Sequence, residues 1–135
     1  MKLKNVLAVL AAAAWISVSE FVRNQFLIKQ LWVQHYQSMN LVFPDAPLNG
    51  AIWGVWALLF AISIFIMSRK FSLTETTMLS WLVAFVLMWV VIGNLGVLPK
   101  GLMLYAVPLS ILECFVASLL ITQIAPAGPS MKYTA

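Results

Sequence analysis

Four long runs of apolar residues, each separated from the next by a short polar or Pro/Gly-containing stretch, dominate the pattern along this chain. A helix that crosses a membrane needs about 20 mostly apolar residues. The first run starts near Asn5 and stays apolar through Val22, with Ser17, Ser19 and Glu20 in its second half and Arg23, Asn24 and Gln25 at its end. The second runs from Ala51 to Met67, the third from Thr76 to Leu98 and the fourth from Leu102 to Ile124. The pattern predicts an all-α membrane protein, with four transmembrane helices in an antiparallel bundle over residues 5–24, 51–68, 76–98 and 102–124. Residues 1–125 form one domain in this reading, and residues 126–135, with Pro126, Gly128 and Pro129, form a flexible tail.

Local signals sharpen the boundaries. Ser72-Leu73-Thr74-Glu75 reads as a capping box that opens the third helix. Pro99, Lys100 and Gly101 make a tight link that forces the third and fourth helices to be antiparallel neighbours. Asn49-Gly50 is the expected start of the second helix, with Pro44 and Pro47 keeping the preceding stretch out of helix. Pro108 removes one backbone hydrogen bond inside the fourth helix and is expected to bend it about one turn before Glu113. From Phe26 to Asn40, apolar residues are interleaved with polar ones at helical spacing. With no break residue after the first run, this stretch is expected to continue the first helix beyond the membrane, through Gln34 or further. The other reading is a separate helix lying at the interface, with Trp32 and Tyr36 at headgroup depth.

Composition supports lipid as the surrounding solvent. Hydrophobic residues make up 63% of the chain and charged residues 9%, against about 25% charged in soluble domains. The net charge of +4 is not a nucleic-acid signature, because the charges gather at the ends of the apolar runs. Lys2, Lys4, Arg69, Lys70 and Lys132 fall on the side of the termini, and Arg23, Lys29 and Lys100 on the other, five against three. The positive-inside rule then puts both termini in the cytoplasm, with a bacterial inner membrane as the expected location. A competing reading takes Lys2, Lys4, the Ala-rich run and Ser17-Val18-Ser19 as a secretory signal whose cleavage would leave three spans.

The candidate chemistry lies in the few polar residues that lipid would not tolerate. Glu113 sits near the centre of the fourth run, roughly 16 Å from either end. A carboxylate at that depth is costly and is a functional candidate by default. Three solutions are open: protonation favoured by desolvation, pairing with Arg23, or a polar cavity. Ala106, Ser110 and Ala117 flank its face and let another helix approach closely, so Glu113 is expected to face inward. Glu20, Arg23 and Asn24, at i, i+3 and i+4, share one face of the first helix. They read either as a partner set for Glu113 or as a polar helix end with Arg23 snorkelling. Asn94 and Tyr105 are placed with them as the lip of an outward-opening vestibule, Asn94 alternatively capping its own helix. Trp15 and Trp89 lie deep, where an indole N–H can partner Glu113. Trp32, Trp53, Trp56 and Trp81 suit an aromatic belt. His35, the lone histidine, reads as an interfacial surface residue, and Cys114, the lone cysteine, as buried and inert.

The first helix with Trp15 and Glu20, the polar stretch carrying Tyr36 and Met39, and three further compact apolar spans resemble the small four-helix bacterial membrane proteins grouped as families of unknown function. The small multidrug transporters share four short helices with an acid in the first. Here their sequence pattern is lacking, and Glu20 lies late in its helix. No nucleophile motif, metal-ligand spacing or phosphate loop is present, which disfavours an enzyme. The expectation is a non-enzymatic protein without cofactor, binding a small apolar or amphipathic molecule or serving as a membrane subunit around Glu113. A proton-coupled transporter working as a homo-oligomer is the alternative.

Overall fold

A computed structural model describes residues 2–127, and every regular element among them is a helix. The expected tail falls outside the described residues from Gly128 onward. Helix α1 spans Leu3–Leu27, α2 Lys29–Ser38, α3 Pro47–Met67, α4 Leu73–Asn94 and α5 Met103–Ile124. All but α2 are long and apolar enough to cross a membrane.

The end of α1 departs from the sequence expectation of an uninterrupted helix. Residues Arg23–Leu27 form a π-turn, closed by the Ile28 amide donating to the Arg23 carbonyl at 3.0 Å. Ile28 then leaves helical geometry (φ −123°, ψ 10°), and α2 starts afresh at Lys29. No Gly or Pro marks this break. The wider π-turn rotates Ile28 inward, where it is buried against Leu102 and Ala106, and that burial wins over local helical continuity. The helical periodicity of residues 26–40 survives as the separate helix α2. It ends where Asn40 takes a left-handed conformation (φ 58°), with the Leu41 amide donating to the Tyr36 carbonyl and the Asn40 amide to Gln37.

Helix α3 begins at Pro47, four residues ahead of the expected Ala51. Pro47 does not hold this stretch out of helix; it occupies the first turn, where its missing N–H costs nothing and its fixed φ is already helical. The Ser72/Glu75 capping box opens α4 as read from the sequence, with the Ser72 amide donating to Glu75 Oε2 at 2.9 Å. A second π-turn, Leu82–Val86, interrupts α4 without ending it. The helix stops at Asn94, four residues before the expected Leu98. The Val97 amide donates to the Ile92 carbonyl at 3.0 Å and the Gly96 amide to Gly93 at 3.1 Å, with Gly96 at φ 73°. Gly96, and not Asn94, supplies the left-handed residue that closes this helix. Helix α5 runs through Pro108 without a gap.

Small residues let the helices close on one another. Ala8 and Ala12 of α1, Ala57 and Ala61 of α3, and Ala117 of α5 are all fully or almost fully buried, and Ile16, Ile64 and Ile121 fill the spaces around them. Helix α1 is central, packing on α5 and α3, and α4 packs on α5. At the end of the bundle away from α2, the Arg69 guanidinium lies over Phe65 and donates to the Ala125 carbonyl at 2.6 Å, joining the end of α3 to the end of α5.

Candidate functional site

The polar residues of α1 and the acid of α5 meet inside the bundle. Glu113 is fully buried, on the same inward face as Ala106, Ser110 and Ala117, all of them buried. Its small neighbours bring α1 close enough for Ser19 Oγ to donate to Glu113 Oε2 at 2.7 Å. Arg23 Nη1 lies 3.5 Å from the same oxygen. The deep tryptophan Trp15 also engages Glu113, but through the backbone: its indole N–H donates to the Glu113 carbonyl at 3.1 Å. Glu113 Oε1 and Arg23 Nη1 make no hydrogen bond among the described residues.

One turn further along α1, Arg23 Nη2 pairs with Glu20 Oε1. The Asn24 amide donates to Glu20 Oε2 at 2.6 Å, and the Trp32 indole N–H of α2 donates to Asn24 Oδ1 at 3.2 Å. Glu20 is 5% exposed and Arg23 6%, so this face is not a solvated helix end with a snorkelling arginine. Arg23 is fixed from a third side by the Phe85 ring, whose centroid is 5.1 Å from the guanidinium carbon. Helix α1 thus places one carboxylate and one guanidinium, and α5 a second carboxylate, in a buried cluster against the π-turn of α4.

Above the cluster lies a cavity of about 700 Å³. Glu20, Arg23 and Asn24 line it, and Trp32, Trp56, Phe85 and Trp89 make much of its wall. Glu113 is not part of that wall, and Arg23, which is, lies against Glu113. Helix α2 and residues 43–50 border the opening, where Lys29 Nζ and Asp45 Oδ2 are 3.5 Å apart on the exposed rim. His35 Nε2 lies 3.0 Å from the Gly96 carbonyl, holding α2 to the link between α4 and α5.

The structure therefore brings together Glu113, Glu20, Arg23 and Asn24, and leaves the other two sequence candidates outside. Asn94 is exposed in the last turn of α4, and Tyr105 is 50% exposed; neither lines the cavity. Leu102 and Ala106 take the inward face at the start of α5, against Ile28, and this turns Tyr105 outward. Sequence reasoning missed Ser19 as a donor to Glu113 and Phe85 as the surface beneath Arg23. Ser19 lies one residue before Glu20, a position that the Glu20–Arg23–Asn24 spacing does not select. Phe85 is one more aromatic in an apolar run, with no signal to single it out. Trp56, expected in an aromatic belt, is instead half-buried against Phe60 and Phe85. Among the described residues no group of three or more His, Cys, Asp or Glu side chains is placed to hold a metal ion. Compared with known protein families, curated proteins and solved structures, the chain matches none.

Proposed function

We propose that this chain is an integral membrane protein that binds a small amphipathic molecule in the cavity between α1, α2, α3 and α4. The observation that carries the reading is the cavity itself. Its volume of about 700 Å³ falls within the range of small-molecule sites, roughly 300–1,000 Å³, and apolar aromatic walls with a few convergent polar groups are the usual composition of such sites. The apolar part of the ligand packs against Trp32, Trp56 and Trp89, and its polar head faces Glu20, Arg23 and Asn24.

Membrane insertion is supported by the outer faces of the helices. Only 22–39% of each apolar window is buried within the protein, so the remaining apolar surface calls for lipid. The four long helices then cross the bilayer as an antiparallel bundle, with both termini cytoplasmic by the Lys/Arg bias and the cavity opening on the opposite side, as in a bacterial inner-membrane protein.

A brominated long-chain amine tests the binding reading, because bromine quenches nearby indoles. Titrated into detergent-solubilised protein, it is expected to quench part of the tryptophan emission saturably at one equivalent. Quenching that rises without saturation, as simple partitioning into micelles would give, removes the reading. A second reading, a proton-coupled transporter acting as an oligomer, is favoured by one feature: the unpaired Oε1 of the buried Glu113, one side chain below the cavity.

A further inference from the structure

The charged groups of the cluster do not balance. Glu20 and Glu113 are two carboxylates around the single guanidinium of Arg23, and Arg23 contacts both. Among the described residues no other group nearby corrects the difference. Helix α3 contains no charged residue, and α4 contains only Glu75, which is engaged with Ser72 at the start of that helix. Besides Glu113, α5 offers only Tyr105, which is half exposed, and the buried thiol of Cys114. Lys29 is at the rim, beside Asp45. The buried cluster thus has one negative charge more than it has cations. An uncompensated negative charge is costly where one of the two carboxylates, that of Glu113, is fully buried.

The wall adds an independent observation. Aromatic faces attract cations through the ring quadrupole, most strongly when water is excluded. Trp32, Trp56, Phe85 and Trp89 surround the cavity, and Phe85 already carries the Arg23 guanidinium 5.1 Å from its centroid. An anion would meet this aromatic wall, and below it a guanidinium already flanked by two carboxylates.

We infer that the ligand class of this cavity is the hydrophobic cation, and that such a cation and a proton compete for the one excess negative charge of the Glu20–Arg23–Glu113 cluster. This rests on the proposed ligand-binding role of the cavity and names its chemistry. The exchange balances: one monovalent cation enters, one proton leaves the carboxylates, and the charge of the cluster plus ligand is unchanged. Glu113 does not touch the cation. It acts through Arg23, at a distance where charges in a low-dielectric interior are strongly felt.

Two probes of almost identical size and shape and opposite charge, tetraphenylphosphonium and tetraphenylborate, separate the possibilities. Binding to the full chain in non-ionic detergent is measured calorimetrically, in buffers of different ionisation enthalpy so that released protons are counted. The phosphonium is expected to bind on the order of tenfold or more tighter than the borate. It is expected to release up to one proton, and its affinity to rise by up to about tenfold per pH unit while the cluster still holds that proton. Glu113→Gln leaves one carboxylate for one guanidinium, so it should remove the proton release and the pH dependence and weaken phosphonium binding. Equal or tighter binding of the borate overturns the inference but leaves a ligand site. Phosphonium binding without proton release from the unaltered protein overturns it as well, whether or not the variant folds. Failure of both probes to bind removes the ligand site together with the inference.

Discussion

Arg23 and Phe85 meet across two helices, and each belongs to a π-turn of its own helix. A π-turn widens the helix by one residue and redirects the side chains around it. In α1 the widened turn ends in the break at Ile28. In α4 it carries the buried Phe85 into the interior. The contact between guanidinium and ring is thus made where both backbones depart from regular helix, directly beneath the cavity. Its strength is measurable. In a double-mutant cycle of Arg23→Gln and Phe85→Leu, thermal unfolding in detergent should show a coupling of about 0.5–2 kcal/mol. Strict additivity would mean the ring only fills space.

The unequal charges of the cluster predict an order of damage. Glu113→Gln leaves Arg23 paired with Glu20, and the amide oxygen can still accept from Ser19. Arg23→Gln removes the only cation between two buried carboxylates and should cost more, about 3 kcal/mol. Adding Glu113→Gln to Arg23→Gln should recover part of that loss. Unfolding midpoints of the three variants decide the matter, and an Arg23 variant more stable than the Glu113 variant contradicts the pairing.

Gly96 closes α4 at φ 73°, and a Cβ there would touch nothing within 4 Å. The cost of Gly96→Ala is then backbone strain alone, about 1 kcal/mol. Gly54, inside α3 and equally uncrowded, should gain stability on replacement by Ala, by roughly 0.5–1 kcal/mol. Opposite shifts in unfolding temperature are expected for the two variants; shifts of the same sign would contradict the left-handed cap.

The orientation predicted by the Lys/Arg bias puts α2 outside. Ser38 is exposed at the end of that helix, and the native Cys114 is fully buried. A membrane-impermeant thiol reagent should therefore label Ser38→Cys in intact cells. Labelling only after lysis would invert the topology.

The periodicities that are legible in the sequence are those that local chemistry controls. Apolar length marks the four long helices, and Ser72 and Glu75 mark the start of α4. Helical spacing groups Glu20, Arg23 and Asn24, and the small residues around Glu113 show that it faces inward. The break at Ile28 and the π-turn around Phe85 leave no local trace, because each is stabilised by what it reaches: Leu102 and Ala106 in one case, Arg23 in the other. Expected depth alone places Asn94 and Tyr105 at the site. An earlier stop to α4 at Asn94, closed by Gly96, and the rotation of α5 set by Ala106 are enough to exclude them.

The two ends of the bundle are fastened differently. At one end Arg69 grips the last turn of α5 through the Ala125 carbonyl, while at the other α2 borders the cavity, held by polar contacts from Trp32, Lys29 and His35 and by the packing of Leu31, Trp32 and Tyr36. On the binding reading proposed above, widening would begin at the α2 end and die away toward Arg69, so that a guest in the cavity would strain the hydrogen bonds of α2 before the Ala8–Ala61–Ala117 packing.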